Sequence, residues 1–245
     1  MSLATLPRIV SPADYPESDG KPMAETDLHL EEMLALIAIL QDRYRDAPEV
    51  YVAGNNFIYF DEGNPGARLS PDVYVVFGAP KRLRRTYKLW EESRAPAFVL
   101  EVSSRQTWPE DEGNKKAICA RLGVAEYFLY DPEGDYLEPP LQGFRLEKRA
   151  YLPLPMDNEG RLFSQALGLK LRLDNGRLQL IEAASGERLL RPQDAYAARR
   201  EAEARATAAE QAARREEEAR LTAEAELARL RAELERLRGA QSGQD

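Results

Sequence analysis

The chain has 245 residues, 43% hydrophobic and 31% charged, with a formal net charge of −8, which is enough for one buried domain and an appendage. This acidity argues against a protein that coats nucleic acid non-specifically, although local charge and bound metal can still recruit phosphate. One cysteine (Cys119) and one histidine (His29) exclude an intrachain disulfide framework and zinc sites of the His/Cys type, so carboxylate and lysine chemistry is expected.

Residues 1–22 hold Pro7, Pro12, Pro16 and Pro22 and read as an irregular lead-in without the pattern of a signal peptide. No apolar run is long enough for a membrane span, so a cytoplasmic protein is expected. Ala24 to Arg45 is predicted to be helical, with Thr26 as N-cap and with Leu30, Met33, Leu34, Ile37, Leu40 and Tyr44 at helical spacing. Glu31 and Glu32 are assigned to its polar face. Val50 to Phe60 reads as a strand interrupted at Gly54-Asn55-Asn56, followed by turn chemistry at residues 61–66. Asp72–Phe77 and Ala97–Val102 are short apolar strands, the second nearly continuous and so expected mid-sheet. Asp111 to Leu122 reads as a helix stopped by Gly123, and Glu126–Tyr130 as the next strand. Short alternating segments over 136–182 predict a small antiparallel extension. The architecture expected for 23–192 is an α/β (α+β) domain, a mixed sheet flanked by helices.

The composition changes after Pro192. Ala195 to Arg238 contains no Gly or Pro and predicts a long helix. Leu227, Leu230, Leu234 and Leu237 follow 3-4-3 spacing, so residues 193–245 read either as a solvated helix or as a coiled coil joining two copies of the chain.

An ionised Glu101 inside an apolar strand is unfavourable unless a cation balances it. A metal ion is one such cation, and Mg²⁺ (or Mn²⁺) takes one or two protein carboxylates together with phosphate oxygens and water. Asp72 could meet Glu101 if the two strands are neighbours. Lys115 or Lys116, early in the next helix, could pair with Glu101 or hold the scissile phosphate and attacking water. Taken singly, Asp72 after Pro71 also fits a turn residue, and Glu101 fits half of a structural ion pair with Lys115. Lys81, Arg82, Arg84, Arg85 and Lys88 form a basic cluster between the two carboxylates, readable as a phosphate-contact surface or as a solvated loop.

Four blocks occur in order: Ser70-Pro71-Asp72; Leu100-Glu101-Val102-Ser103-Ser104; Asp111 with Lys115; and Gly123-Val124-Ala125-Glu126-Tyr127-Phe128-Leu129-Tyr130-Asp131-Pro132. Together they resemble the Uma-type restriction endonuclease family of the PD-(D/E)xK superfamily over roughly residues 15–185. The resemblance implies a restriction-endonuclease-like fold and Mg²⁺-dependent hydrolysis of DNA phosphodiesters. It assigns Asp72 and Glu101 to metal binding and catalysis and Lys115 to catalysis, with Glu25 as a further carboxylate from the first helix. The superfamily places its lysine two residues after the glutamate. Here that position is Ser103, so Lys115 must reach the site from the following helix. The alternative is a nuclease fold without turnover that recruits a partner through its C-terminal coil.

Overall fold

The computed structural model describes residues 14–18 and 26–241, with side chains through 234 and at 236. Glu25, most of the lead-in and the side chain of Leu237 lie outside the described residues. The chain separates into two compact units, Met1–Pro192 and Gln193–Asp245.

In the first unit α1 spans Asp27–Arg43, and the Thr26 hydroxyl accepts the His29 backbone N–H at 3.2 Å as its N-cap. Strands β1 (Val50–Ala53), β4 (Val73–Phe77), β6 (Phe98–Val102), β7 (Glu126–Tyr130), β8 (Leu141–Glu147) and β9 (Ala150–Pro153) form a six-stranded sheet in the order β1-β4-β6-β7-β8-β9. Every pairing is antiparallel except β6 with β7. A short helix, α2 (Leu89–Glu92), precedes β6. A parallel neighbour needs a crossover, which α3 (Trp108–Glu110), a π-helical turn (Asp111–Lys115) and α4 (Lys116–Leu122) supply. Gly123 ends α4 with φ of 79°, a left-handed conformation that favours glycine. β6 and β7 are buried along their whole length, as their nearly continuous apolar runs require, and the burial takes in Glu101 and Glu126.

The two faces of this sheet carry separate cores. On one, Met33, Leu36, Ile39 and Leu40 of α1 pack with Val73, Val75, Leu100 and Val102 and with a three-stranded sheet, β10 (Leu162–Ser164), β11 (Leu169–Asp174) and β12 (Arg177–Glu182). On the other, Tyr74, Val76, Val99 and Tyr127 pack with Ile118 and Cys119 of α4 and with the short strands β2 (Ile58–Tyr59), β3 (Arg68–Leu69) and β5 (Tyr87–Lys88). Each large apolar side chain buried this way contributes about 2 kcal/mol.

Several expectations need correction. Val50–Phe60 is two strands in two sheets, because the chain turns away at Gly54. Residues 136–182 are divided, with β8 and β9 extending the main sheet and β10–β12 forming their own. Leu30 and Leu34 are exposed although they fit the helical spacing. Glu32 is fully buried, not on a polar face. Arg191 donates to both of its oxygens at 2.8 and 2.6 Å, and the Tyr130 hydroxyl donates at 3.0 Å.

The second unit is a single helix, α5 (Pro192–Gln241). Leu221, Leu227, Leu230 and Leu234 are about half exposed on it, and Arg199–Glu203, Arg205–Glu201 and Arg220–Glu224 are ion pairs four residues apart.

Candidate active site

The β4–β6 register pairs Val73 with Leu100. One step beyond, Asp72 lies across from Glu101, on the face that α4 covers. The backbone N–H of Asp72 donates to Glu101 Oε2 at 3.2 Å, and that of Val102 donates to Asp72 Oδ2 at 2.8 Å. The two strand ends are therefore tied by the carboxylates themselves. A close approach sets the position of Asp72, since a Cβ on Gly54 would lie 1.9 Å from the Asp72 carbonyl oxygen.

Lys115 reaches this point from the π-helical turn. Its ammonium donates to Glu101 Oε2 at 3.0 Å and lies 2.9 Å from Asp111 Oδ1. π turns concentrate at functional sites, and this one opens with Asp111 and closes with Lys115. Ser103, in the usual lysine position, donates its hydroxyl to Asp111 Oδ2 at 3.2 Å. Asp111 is fully buried, and its carbonyl accepts the Tyr127 hydroxyl at 2.7 Å. On the other side of Asp72, His29 Nε2 lies 3.5 Å from Oδ1, and the imidazole is buried.

The electrostatics are short of positive charge. Burial pushes Glu101 well above the usual carboxylate range. Lys115 opposes that shift, and Asp72 and Asp111 add to it. Burial raises Asp111 too, again against Lys115. For Lys115 burial works against the ammonium, but Glu101, Asp111 and Asp72 outweigh it and hold its pKa well above the ordinary lysine value. Lys115 is thus a fixed cation and hydrogen-bond donor. Glu101 Oε1 is buried and has no hydrogen-bond partner among the described residues, and three carboxylates share one ammonium.

A cavity of 310 Å³ opens beside the cluster. Asp72 and Lys115 line it together with Ser70, Thr107, Asn114 and Arg68. Arg68, whose guanidinium stacks 4.5 Å from the Phe57 ring centroid, is a second cation, beside Lys115, that shares the cavity with Asp72. Sequence reasoning missed it, because a lone arginine after a Gly-rich turn has no distinguishing pattern. Asp111 was visible only as part of a motif block, and His29 gave no signal beyond being the single histidine.

The basic cluster lies elsewhere. Arg84 is almost wholly buried, forks onto Glu92 at 2.7 and 2.8 Å and stacks 4.2 Å over Tyr51. Arg82 shares Glu92 at 2.7 Å, Arg85 pairs with Glu17 at 2.9 Å, and Lys88 pairs with Glu91 at 2.9 Å. Lys81 donates to the Tyr44 and Arg45 carbonyls at 2.5 and 2.8 Å.

Among the described residues no group of three or more His, Cys, Asp or Glu side chains is arranged to hold a metal ion. Magnesium needs only one or two protein carboxylates, so Asp72 and Glu101 remain a sufficient donor set. The unpartnered Glu101 Oε1 and the surplus of carboxylates fit a hard cation.

With this geometry in view, the family comparison is decisive. The family model Uma2, described as "Putative restriction endonuclease", matches residues 13–191. The chain belongs to the Uma2 family. The match covers the first unit almost completely and ends at Arg191, so α5 lies outside what defines Uma2. No curated protein matches the chain. Among solved structures it is similar to a "putative nuclease belonging to DUF820 from Anabaena variabilis", at 12% identity over 60% of this chain and 76% of that one, with a TM-score of 0.45. Among the described residues no helix is long and apolar enough to cross a membrane.

Proposed function

We propose that this Uma2 protein is a metal-dependent endonuclease hydrolysing phosphodiester bonds in DNA, within the cytoplasm. The observation that carries this reading is the convergence of Asp72, Glu101 and Lys115 from three separated segments, with three carboxylates sharing one ammonium and with Asp72 and Lys115 lining a cavity behind which Glu101 is buried.

Asp72 and Glu101 would hold Mg²⁺ or Mn²⁺. The cation, when bound, supplies Lewis-acid stabilisation of phosphoryl charge and an acidified water. Lys115 keeps its proton, so it serves as a donor to the phosphate oxygens and not as the base. Asp111 positions Lys115, and Ser103 positions Asp111. Arg68 adds a second positive charge at the cavity for the substrate backbone. Glu25 is retained as a third carboxylate candidate on the strength of the superfamily resemblance alone. Within the basic cluster Arg82, Arg85 and Lys81 stay accessible for phosphate contact and Lys88 only partly so, whereas the buried Arg84 holds the loop.

The test is cleavage of supercoiled plasmid with Mg²⁺ or Mn²⁺ by the full chain and by Asp72→Ala. Nicking or linearisation that needs metal and disappears in the variant supports the reading. No cutting across varied DNA substrates, or equal cutting by the variant, contradicts it.

The exposed leucines of α5 favour self-association through that helix. Light scattering on the full chain and on residues 1–195 tests this. A drop from two copies to one is expected, and an unchanged number of copies contradicts it. A nuclease fold that only recruits a partner would instead show DNA or metal binding without turnover.

A further inference from the structure

A second, larger cavity of 610 Å³ lies across the Gly54–Phe57 segment from the acidic one. Gly54 and Asn56 line the larger cavity, and Asn55 and Phe57 line the acidic one. Ile37, Tyr44, Tyr51 and Val52 give it apolar walls, while Arg45, Lys81, Arg82 and Leu83 stand at its rim.

The rim is cationic in a chain of net charge −8, through Lys81 and Arg82, since Arg45 is paired with Asp42. Glu92 is the one carboxylate on which both Arg82 and Arg84 are paired, which leaves a surplus guanidinium charge. The Lys81 ammonium rests on two neutral carbonyls. Between these cations Leu83 is fully exposed, at 102% of its reference area. A single exposed leucine is ordinary. This one is held out by its neighbours. The Lys81 backbone N–H donates to the Pro48 carbonyl at 2.8 Å. Arg84 donates to the carbonyls of Pro80 and Arg82 at 3.0 and 3.3 Å while it forks onto Glu92. An apolar side chain fixed in water between arginines, beside an apolar cavity, is the combination that unstacks bases when Arg flanks an inserted Leu.

We propose that this cavity is a base-binding subsite for the DNA strand whose scissile phosphate enters the acidic cavity. One unstacked base lies against the Tyr44 and Ile37 wall, Leu83 fills the gap left in the stack, and Arg82 and Lys81 meet the flanking phosphates. The subsite rests on the nuclease reading, and it adds a substrate distortion which that reading does not require.

The experiment uses duplex DNA carrying 2-aminopurine at successive positions, bound by the full chain in an Asp72→Asn background with Mg²⁺. Fluorescence is expected to rise at one position. Leu83→Ala and Arg82→Ala, both surface changes, should reduce that rise and weaken binding by about fivefold or more. Plasmid cleavage by the chain with Asp72 intact is measured in parallel. Asp72-dependent cleavage together with bound DNA and no rise at any position overturns the subsite and leaves the nuclease reading standing. A rise that is equal in Leu83→Ala overturns it as well. A Leu83-dependent rise without Asp72-dependent cleavage supports the subsite while overturning the nuclease reading, and absence of both cleavage and binding overturns both.

Discussion

The domain buries two kinds of carboxylate, and their surroundings differ. Glu126 accepts from Arg145 at 2.9 Å, from the Ser164 hydroxyl at 2.5 Å and from the backbone N–H groups of Gln165 and Ala166 at 2.9 and 3.3 Å. Asp131 accepts four backbone N–H groups, those of Glu133, Gly134, Tyr136 and Leu137. Glu32 has Arg191 on both oxygens. Glu101, equally buried, shares Lys115 with Asp111 and has an oxygen with no partner among the described residues. Burial alone therefore does not distinguish these carboxylates. Saturation by donors does. A saturated carboxylate holds chain segments together, whereas an undersupplied one is left with capacity for a ligand.

The largest effect that would break this contrast is on turnover. Lys115→Met removes the only ammonium from the undersupplied cluster, and cleavage should fall by about 10³-fold in a plasmid assay. Activity within tenfold of the parent would place the lysine outside the reaction. Next, Glu126→Ala strands Arg145 and three further donors, those of Ser164, Gln165 and Ala166, so chemical denaturation should register a loss of about 3–5 kcal/mol. A loss under about 1 kcal/mol would mean that saturation has no structural value here.

Glu92 sharpens the contrast through pH. Hydrogen bonds from Arg84 hold its carboxyl at about 2, against 4.5 ordinarily. A lowered folded pKa gives stability that is present above pH 4.5 and lost as pH falls towards 2. Glu92→Gln should therefore cost about 2 kcal/mol at neutral pH, with the difference from the parent vanishing near pH 2. A pH-independent difference would contradict the pairing. The smallest effect on stability has the opposite sign. Glu101→Gln relieves an undersupplied buried charge, so it should abolish cleavage while changing stability by less than about 1 kcal/mol, in the stabilising direction if at all. A destabilisation matching that of Glu126→Ala would make Glu101 structural.

Much of this fold is local in origin and so was legible in the sequence. The apolar runs 98–102 and 126–130, the stop at Gly123 and the Gly- and Pro-free tail each declare themselves within a few residues. What was not legible depends on distant partners. Glu32 reads as surface because Arg191, its counter-charge, lies at the far end of the domain. The division of 50–60 between two sheets follows from the approach of Gly54 to Asp72. At the site, the carboxylates and Lys115 stand out because charges interrupt apolar segments or match a family block. Arg68 does not, since only the folded hairpin brings it to the cavity that Asp72 lines. The basic run at 81–88 looked uniform in sequence, yet it divides into one buried brace at Arg84 and exposed cations around Leu83.

The most direct test of the account is a calorimetric titration of the full chain with Mn²⁺, compared with Glu101→Gln and Glu126→Gln. The account predicts metal binding by the parent, its loss in Glu101→Gln and its retention in Glu126→Gln. Equal binding by all three, or none by the parent, would contradict it.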